Sequence, residues 1–128
     1  MKYMILVYSN PTKWEHPLFF HQEKAASPEE RDAQLAGMTR LMEEISASGE
    51  LGPTHVLGDP ALTKTVRPQE DSLVTTDGPF LESKEHLAGW FVVDVPSLDR
   101  AIEIASRIPD TRYLATEVRP ILDVPRPD

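Results

Sequence analysis

An α+β fold is predicted by three features of this sequence. MKYMILVYS at the start and LAGWFVVDV at 87–95 are runs rich in apolar and β-branched residues, of strand length. Each is followed by a helix start, SPEER at 27–31 and PSLDR at 96–100. Between the first helix and the second run, residues 51–76 are broken by Gly52-Pro53, Gly58-Asp59-Pro60 and Pro68, as short strands and turns require.

The first predicted strand, Lys2 to Tyr8, sets Tyr3, Ile5 and Val7 on one face and Met4, Leu6 and Tyr8 on the other. Both faces are apolar. Asn10-Pro11 ends it, and residues 11–26 form a long connection whose Trp14, Leu18, Phe19 and Phe20 are too apolar for a solvated linker. That loop is expected to pack on the body of the protein or on a partner. Ser27 as N-cap, Pro28 at the first helical position and Glu30 three residues after the cap form a capping box. Leu35, Met38, Leu41, Met42 and Ile45 recur on one face, and Gly49 stands where a left-handed C-terminal residue is wanted, so a helix runs from about Pro28 to about Ser48.

Short strands are predicted at His55 to Leu57, Leu62 to Val66 and Ser72 to Thr75, the last two joined by the turn Arg67 to Asp71. The strand at 87–95 is again apolar on both faces, with Trp90 and Val92 opposite Phe91 and Val93. Pro96-Ser97 caps a second helix whose Leu98, Ala101, Ile102, Ala105 and Ile108 form one stripe, and Pro109 ends it. A last strand near Ala115 to Ile121 precedes the proline-rich tail VPRPD.

This order, with two helices and four main strands, is that of a ferredoxin-like plait with an extra β-hairpin, both helices covering one face of an antiparallel sheet. The other face cannot simply meet water, because its strands are apolar on that side too. A second sheet packed against it solves the problem. A homodimer is therefore expected, with Trp90 or Phe91 at its interface.

At 128 residues the chain is expected to be one domain, 1–128, large enough to bury about two thirds of its unfolded surface. It contains no cysteine, which removes disulfides, thiolate catalysis and cysteine-ligated metals and fits a cytoplasmic location. The apolar run at the N-terminus is too short to span a membrane and lacks a cleavage signal. A formal net charge of −8 opposes binding to nucleic acid or anionic lipid, since both need a basic footprint. No glycine-rich phosphate loop, GxSxG elbow or HExxH motif occurs, and no cofactor is implied.

Of the four histidines, His16 and His21 stand five apart in the long loop beside Glu15 and Glu23, without a compact third ligand, so no metal site is expected. His55 reads as a partly buried strand residue. The strongest constellation is TTDGPFLESKEHLAGWF at 75–91. Asp77 can accept a backbone N–H, Gly78 escapes side-chain sterics and Pro79 fixes its own φ, so the stretch is a rigid bend that aims Phe80. Beyond it Glu82, Lys84 and His86 share one face if the segment is extended. That row has the residue types of acid–base chemistry, histidine being the one that works near neutral pH. The same row also reads as a solvated charged edge ahead of a buried strand.

TTDGPFLESKEHLAGWFVVDVPSLDRAIEIASRIP, followed by ATEVRPI, resembles the DGPF branch of the YCII-related family. Asp77-Gly78-Pro79-Phe80, then Glu82, Lys84, Glu85, Leu87 and Gly89, match at the family's spacing, as do Ser97-Leu98 and Glu117-Val118-Arg119-Pro120. MKYMILVYS and SPEER agree as well, so nearly the whole chain is covered; the departure is the apolar, histidine-rich loop. The resemblance implies a dimeric α+β barrel and brings no settled reaction; the histidine beside three ionisable groups, next to an aromatic-rich strand, points to a small-molecule-binding or enzyme-like protein with a cleft near the DGPF turn. His86, Glu82 and Asp77 are then the catalytic candidates, and Lys84, Arg119 and Phe80 the ligand-binding ones. Related members carry a histidine–aspartate pair in a cleft, but the helix from Pro28 to Ser48 holds no histidine to match it. Relatives encoded with or fused to sigma factors imply the alternative, a non-catalytic accessory module acting with a transcription factor.

Overall fold

The computed structural model describes residues 1–9, 27–80, 85–112 and 114–123. The apolar loop with His16 and His21, the Glu82–Lys84 row and the VPRPD tail lie outside the described residues.

The elements are β1 (Lys2–Ser9), α1 (Pro28–Ala47), β2 (Leu51–Val56), β3 (Lys64–Gln69), β4 (Ser72–Asp77), β5 (His86–Asp94), α2 (Leu98–Ser106) and β6 (Thr116–Pro120). Four of the strands form one sheet in the order β2-β5-β1-β6, while β3 and β4 pair as a separate hairpin. Every pairing is antiparallel. The fold is α+β, and its strand order is consistent with a ferredoxin-like plait carrying an inserted hairpin.

The alternation in β1 decides what lies under the helices. Tyr3, Ile5, Val7 and Ser9 are buried, and the residues between them are not. Ile5 pairs with Phe91 on one side and Val118 on the other, so the three strands present one apolar surface. Met38, Leu41 and Ile45 of α1 and Ala101, Ile104 and Ala105 of α2 close over it, forming one core with Val93, Val95 and Ile108. Burial of each large aliphatic side chain contributes about 1.5–3 kcal/mol, so this cluster dominates the stability of the fold.

The caps agree with the sequence. Ser27 Oγ accepts from Glu30 N at 3.2 Å, Ser97 Oγ accepts from Arg100 N at 3.2 Å, and Gly49 follows α1 at φ 82°. The core rows differ. Leu35 is 44 % exposed, since burial along α1 begins only at Met38. In α2 the predicted stripe is rotated: Ile104 is fully buried while Leu98 and Ile102 are about half exposed. Residues 101, 104, 105 and 108 keep the helical i, i+3, i+4, i+7 spacing, whereas Ile102 stands about 100° round from Ala101.

Three expectations about strands are corrected. β2 begins at Leu51 and so includes Gly52-Pro53, because it is an edge strand in which Pro53 can lack a donor; the register is irregular between Leu51 and Thr54. Pro68 lies inside β3 opposite Leu73 rather than in the turn, since both strands of an isolated hairpin are edges. Phe91 is 2 % exposed in the core beneath the helices, so of the two aromatic residues only Trp90 faces the side without helices.

Ion pairs tie α2 to the end of α1. Arg100 donates from Nε and Nη2 to the two carboxylate oxygens of Glu50, both at 2.9 Å, and reaches Glu103 at 3.0 Å. Hydrogen bonds from Arg100 and then Ser48 hold the Glu50 carboxyl down at about 2. Arg107 pairs with Glu44, whose carboxyl is lowered chiefly by that hydrogen bond.

Candidate functional site

The bend at Asp77-Gly78-Pro79-Phe80 is built on the base of the hairpin. Gly78 adopts φ 87°, a left-handed conformation that disfavours any other residue. Its N–H donates to Thr63 O at 2.7 Å, and its own carbonyl accepts from Thr65 Oγ1 at 2.6 Å. Lys64 donates to Asp77, an ion pair out in solvent with the Asp77 side chain 86 % exposed. Three contacts thus anchor the bend to the first two residues of β3 and the residue before them. Among the described residues the Asp77 carboxylate serves this ion pair.

This anchoring turns Pro79 towards the start of β5. Leu57 N donates to Ala88 O at 2.8 Å, extending the β2–β5 seam past the end of β2. Asp59 Oδ1 then accepts from Ala61 N at 2.9 Å and caps a short 3-10 turn, Pro60–Leu62. Between that turn, the bend and the seam lies a cavity of about 420 Å³. Leu57, Pro60, Leu62, Pro79 and Leu87 supply apolar wall; Asp59, Thr63 and His86 supply the polar groups. His86 is half-buried at the first position of β5, opposite the fully buried Ser9. The volume suits a small organic molecule, and apolar walls with a few polar groups are the usual composition of such sites.

Among the described residues, the predicted site residues are not brought together as a set. His86 and Pro79 line the cavity. Asp77 stands on the outer side of the bend, and Phe80 is 67 % exposed and absent from the lining. Arg119 lies on β6, at the sheet edge opposite β2, and takes no part in the cavity. Asp59 and Thr63 are lining residues that sequence reasoning missed, because Gly58-Asp59-Pro60 reads only as a strand breaker. His55 is exposed, not partly buried, and its ring meets Trp90 at 5.0 Å between centroids, tilted by 58°.

The face of the sheet without helices carries a second polar group. Leu6 is paired with Glu117 and Met4 with Arg119, which sets Tyr8, Glu117 and Arg119 along one flank of that face. Burial, and next the Glu117 carboxylate beside it, push the Tyr8 phenol above its ordinary value, with Arg119 acting the other way. Among the described residues no three His, Asp or Glu side chains gather as a metal ion would need. Among them, too, no helix is long and apolar enough to cross a membrane.

A family model described as YCII-related domain matches residues 1–125. An uncharacterized protein of Rhizobium meliloti is 30 % identical over 99 residues, which cover 76 % of this chain and 80 % of that protein.

Proposed function

The chain belongs to the YCII-related family, and on that premise we propose that it is a homodimer that binds a small molecule in the cavity beside the DGPF bend. The observation that carries this reading is the position of His86, half-buried in the wall of an otherwise mostly apolar 420 Å³ cavity. An imidazole so placed can hold a polar end of a ligand, or accept and return a proton at a reacting atom. Asp77 keeps the bend in place from outside through Lys64. Glu82 is proposed to share proton transfer with His86, and Lys84 to bind the ligand, both on the sequence pattern alone; Phe80, exposed and off the cavity lining, is not part of the proposal. The DGPF motif and its spacing support placement in the DGPF branch.

The dimer reading rests on the helix-free face. Met4, Leu6, Trp90 and Val92 are only half-covered there, and a second copy packed sheet to sheet would complete a dimeric α+β barrel. The test of the cavity is a fragment screen followed by amide chemical shifts. Ligands should perturb Leu57 to Thr63 and His86 to Leu87, and His86→Ala should weaken them at least tenfold. Fragments that bind elsewhere, or equally well to the variant, would sink the assignment.

A second reading, an accessory module docking on a transcription factor such as a sigma factor, is favoured by one feature. Leu98 and Ile102 stand one helical turn apart on α2, 46 % and 49 % exposed. Loss of partner binding in Leu98→Ser, with cavity binding intact, would select this reading over the first.

A further inference from the structure

We propose that the helix-free face binds a small apolar carboxylate at its β6–β1–β5 corner, Arg119 receiving the carboxylate and Met4, Val92 and Trp90 the apolar body. This deepens the dimer reading, since a second copy over that face would shield the apolar body from water. It is independent of the His86 cavity at the other edge of the sheet.

Registers place the parts. Met4 stands opposite Arg119 on one side and Val92 on the other; one row along, Leu6 stands between Glu117 and Trp90. With neighbouring strands about 4.8 Å apart, the span from Arg119 across Met4 to Val92 is about 10 Å, matching a carboxylate on a short chain ending in a ring. Trp90 stands beside Val92 on β5, one row along and level with Leu6, and the tilted His55 ring meets it from β2.

Charge decides the ligand class. Arg119 is exposed, and among the described residues it forms no ion pair, whereas Arg100 and Arg107 are both engaged. Lys2 lies on the same face of β1, beyond Met4. Asp94, opposite Lys2, is paired with the N-terminal amine at 3.1 Å, so on a chain of net charge −8 Arg119 and Lys2 leave a cationic corner beside apolar floor, and a guanidinium offers a carboxylate two parallel hydrogen bonds. Glu117 and Tyr8 close the other end of the flank. A carboxylate there would meet like charge, so the ligand has one anionic end and one orientation. Burial and Glu117 favour the neutral Tyr8 phenol, so that end carries the Glu117 charge alone.

The test uses the full chain with Trp14→Phe, which leaves Trp90 as the sole indole. Trp90 fluorescence is titrated with 3-phenylpropionate and with its neutral amide, and sedimentation velocity is run in parallel. The acid should bind saturably. The amide, and Arg119→Gln with the acid, should each bind at least tenfold more weakly; Arg119→Lys should fall between, and His86→Ala should change nothing. Equal binding of amide and acid overturns the proposal, as does an unaffected Arg119→Gln. So does the same response to acetate at equal ionic strength, which would mean an adventitious ion only. If Arg119→Gln instead splits a dimer, Arg119 is a subunit contact and the proposal fails while the dimer stands. If the protein sediments as a monomer yet binds the acid through Arg119, the dimer reading fails and the site stands on the sheet alone.

Discussion

Ile5 and Leu6 are neighbours of similar size in the same strand, yet they meet opposite fates. Ile5 is fully buried beneath two helices; Leu6 is half-buried on a face that no helix covers among the described residues. The helix-covered face is completed by the chain itself, through packing and through the Arg100–Glu50 pair. The helix-free face has equally apolar residues but only a partial cover, and its charged flank, Glu117 and Arg119, is not locked in ion pairs among the described residues. One face therefore stores the stability, and the other is where binding energy remains available.

The largest expected effect breaks the covered face. Ile5→Ala should cost about 3 kcal/mol in denaturant unfolding, because the buried site cannot fully collapse around the missing methyl groups. A loss below about 1 kcal/mol would mean that the two faces are not as unequal as their burial indicates.

Next comes the clamp on the same side. Glu50→Gln should cost about 1–2 kcal/mol at neutral pH, since it weakens a charge-assisted, mostly buried pair. The Glu50 carboxyl sits near 2 in the folded protein, below its ordinary unfolded value of about 4.3. Its contribution is thus present above the unfolded value and disappears as pH falls from about 4.5 towards 2. The stability gap between the wild type and Glu50→Gln should close over that window; a gap that stays constant down to pH 2 would rule the clamp out.

On the open face the expected change in stability is smaller and the change in assembly larger. Leu6→Asn should cost about 1 kcal/mol as a monomer, because much of its side chain is already in water. It should convert the proposed dimer to monomer in sedimentation velocity, and a dimer that survives would move the interface elsewhere. Smallest of all is Asp77→Ala, whose exposed ion pair should be worth less than about 0.5 kcal/mol. A loss of several degrees in thermal midpoint would mean that the bend depends on Asp77 more than its exposure allows.

Much of this molecule could be read before any coordinates. The capping Ser27 and Ser97, the stop at Gly49 and the alternation of β1 are local signals, each set by one residue's hydrogen bonding or by a fixed period of side-chain direction. Helix rows were less legible. Leu35 and Ile102 satisfy the spacing of a buried stripe, but spacing cannot say which third of a helix the sheet will cover. The site was less legible still. His86 and Pro79 stood out as a histidine and a bend, whereas Asp59 and Thr63 belong to the cavity only because a cap and a seam fold them back onto β5.

Local chemistry along the chain therefore settled the element order, the helix ends and the presence of a sheet apolar on both sides. Tertiary structure alone decided that Phe91 goes inward and Trp90 outward, that Arg119 lies across the sheet from His86, and that the DGPF bend walls a cavity without placing Asp77 in it. The reason is that a period of two leaves open which of two apolar faces the helices take. Strand order, which puts β1 between Arg119 on the edge strand β6 and His86 on β5, depends on long-range pairing that no local pattern encodes.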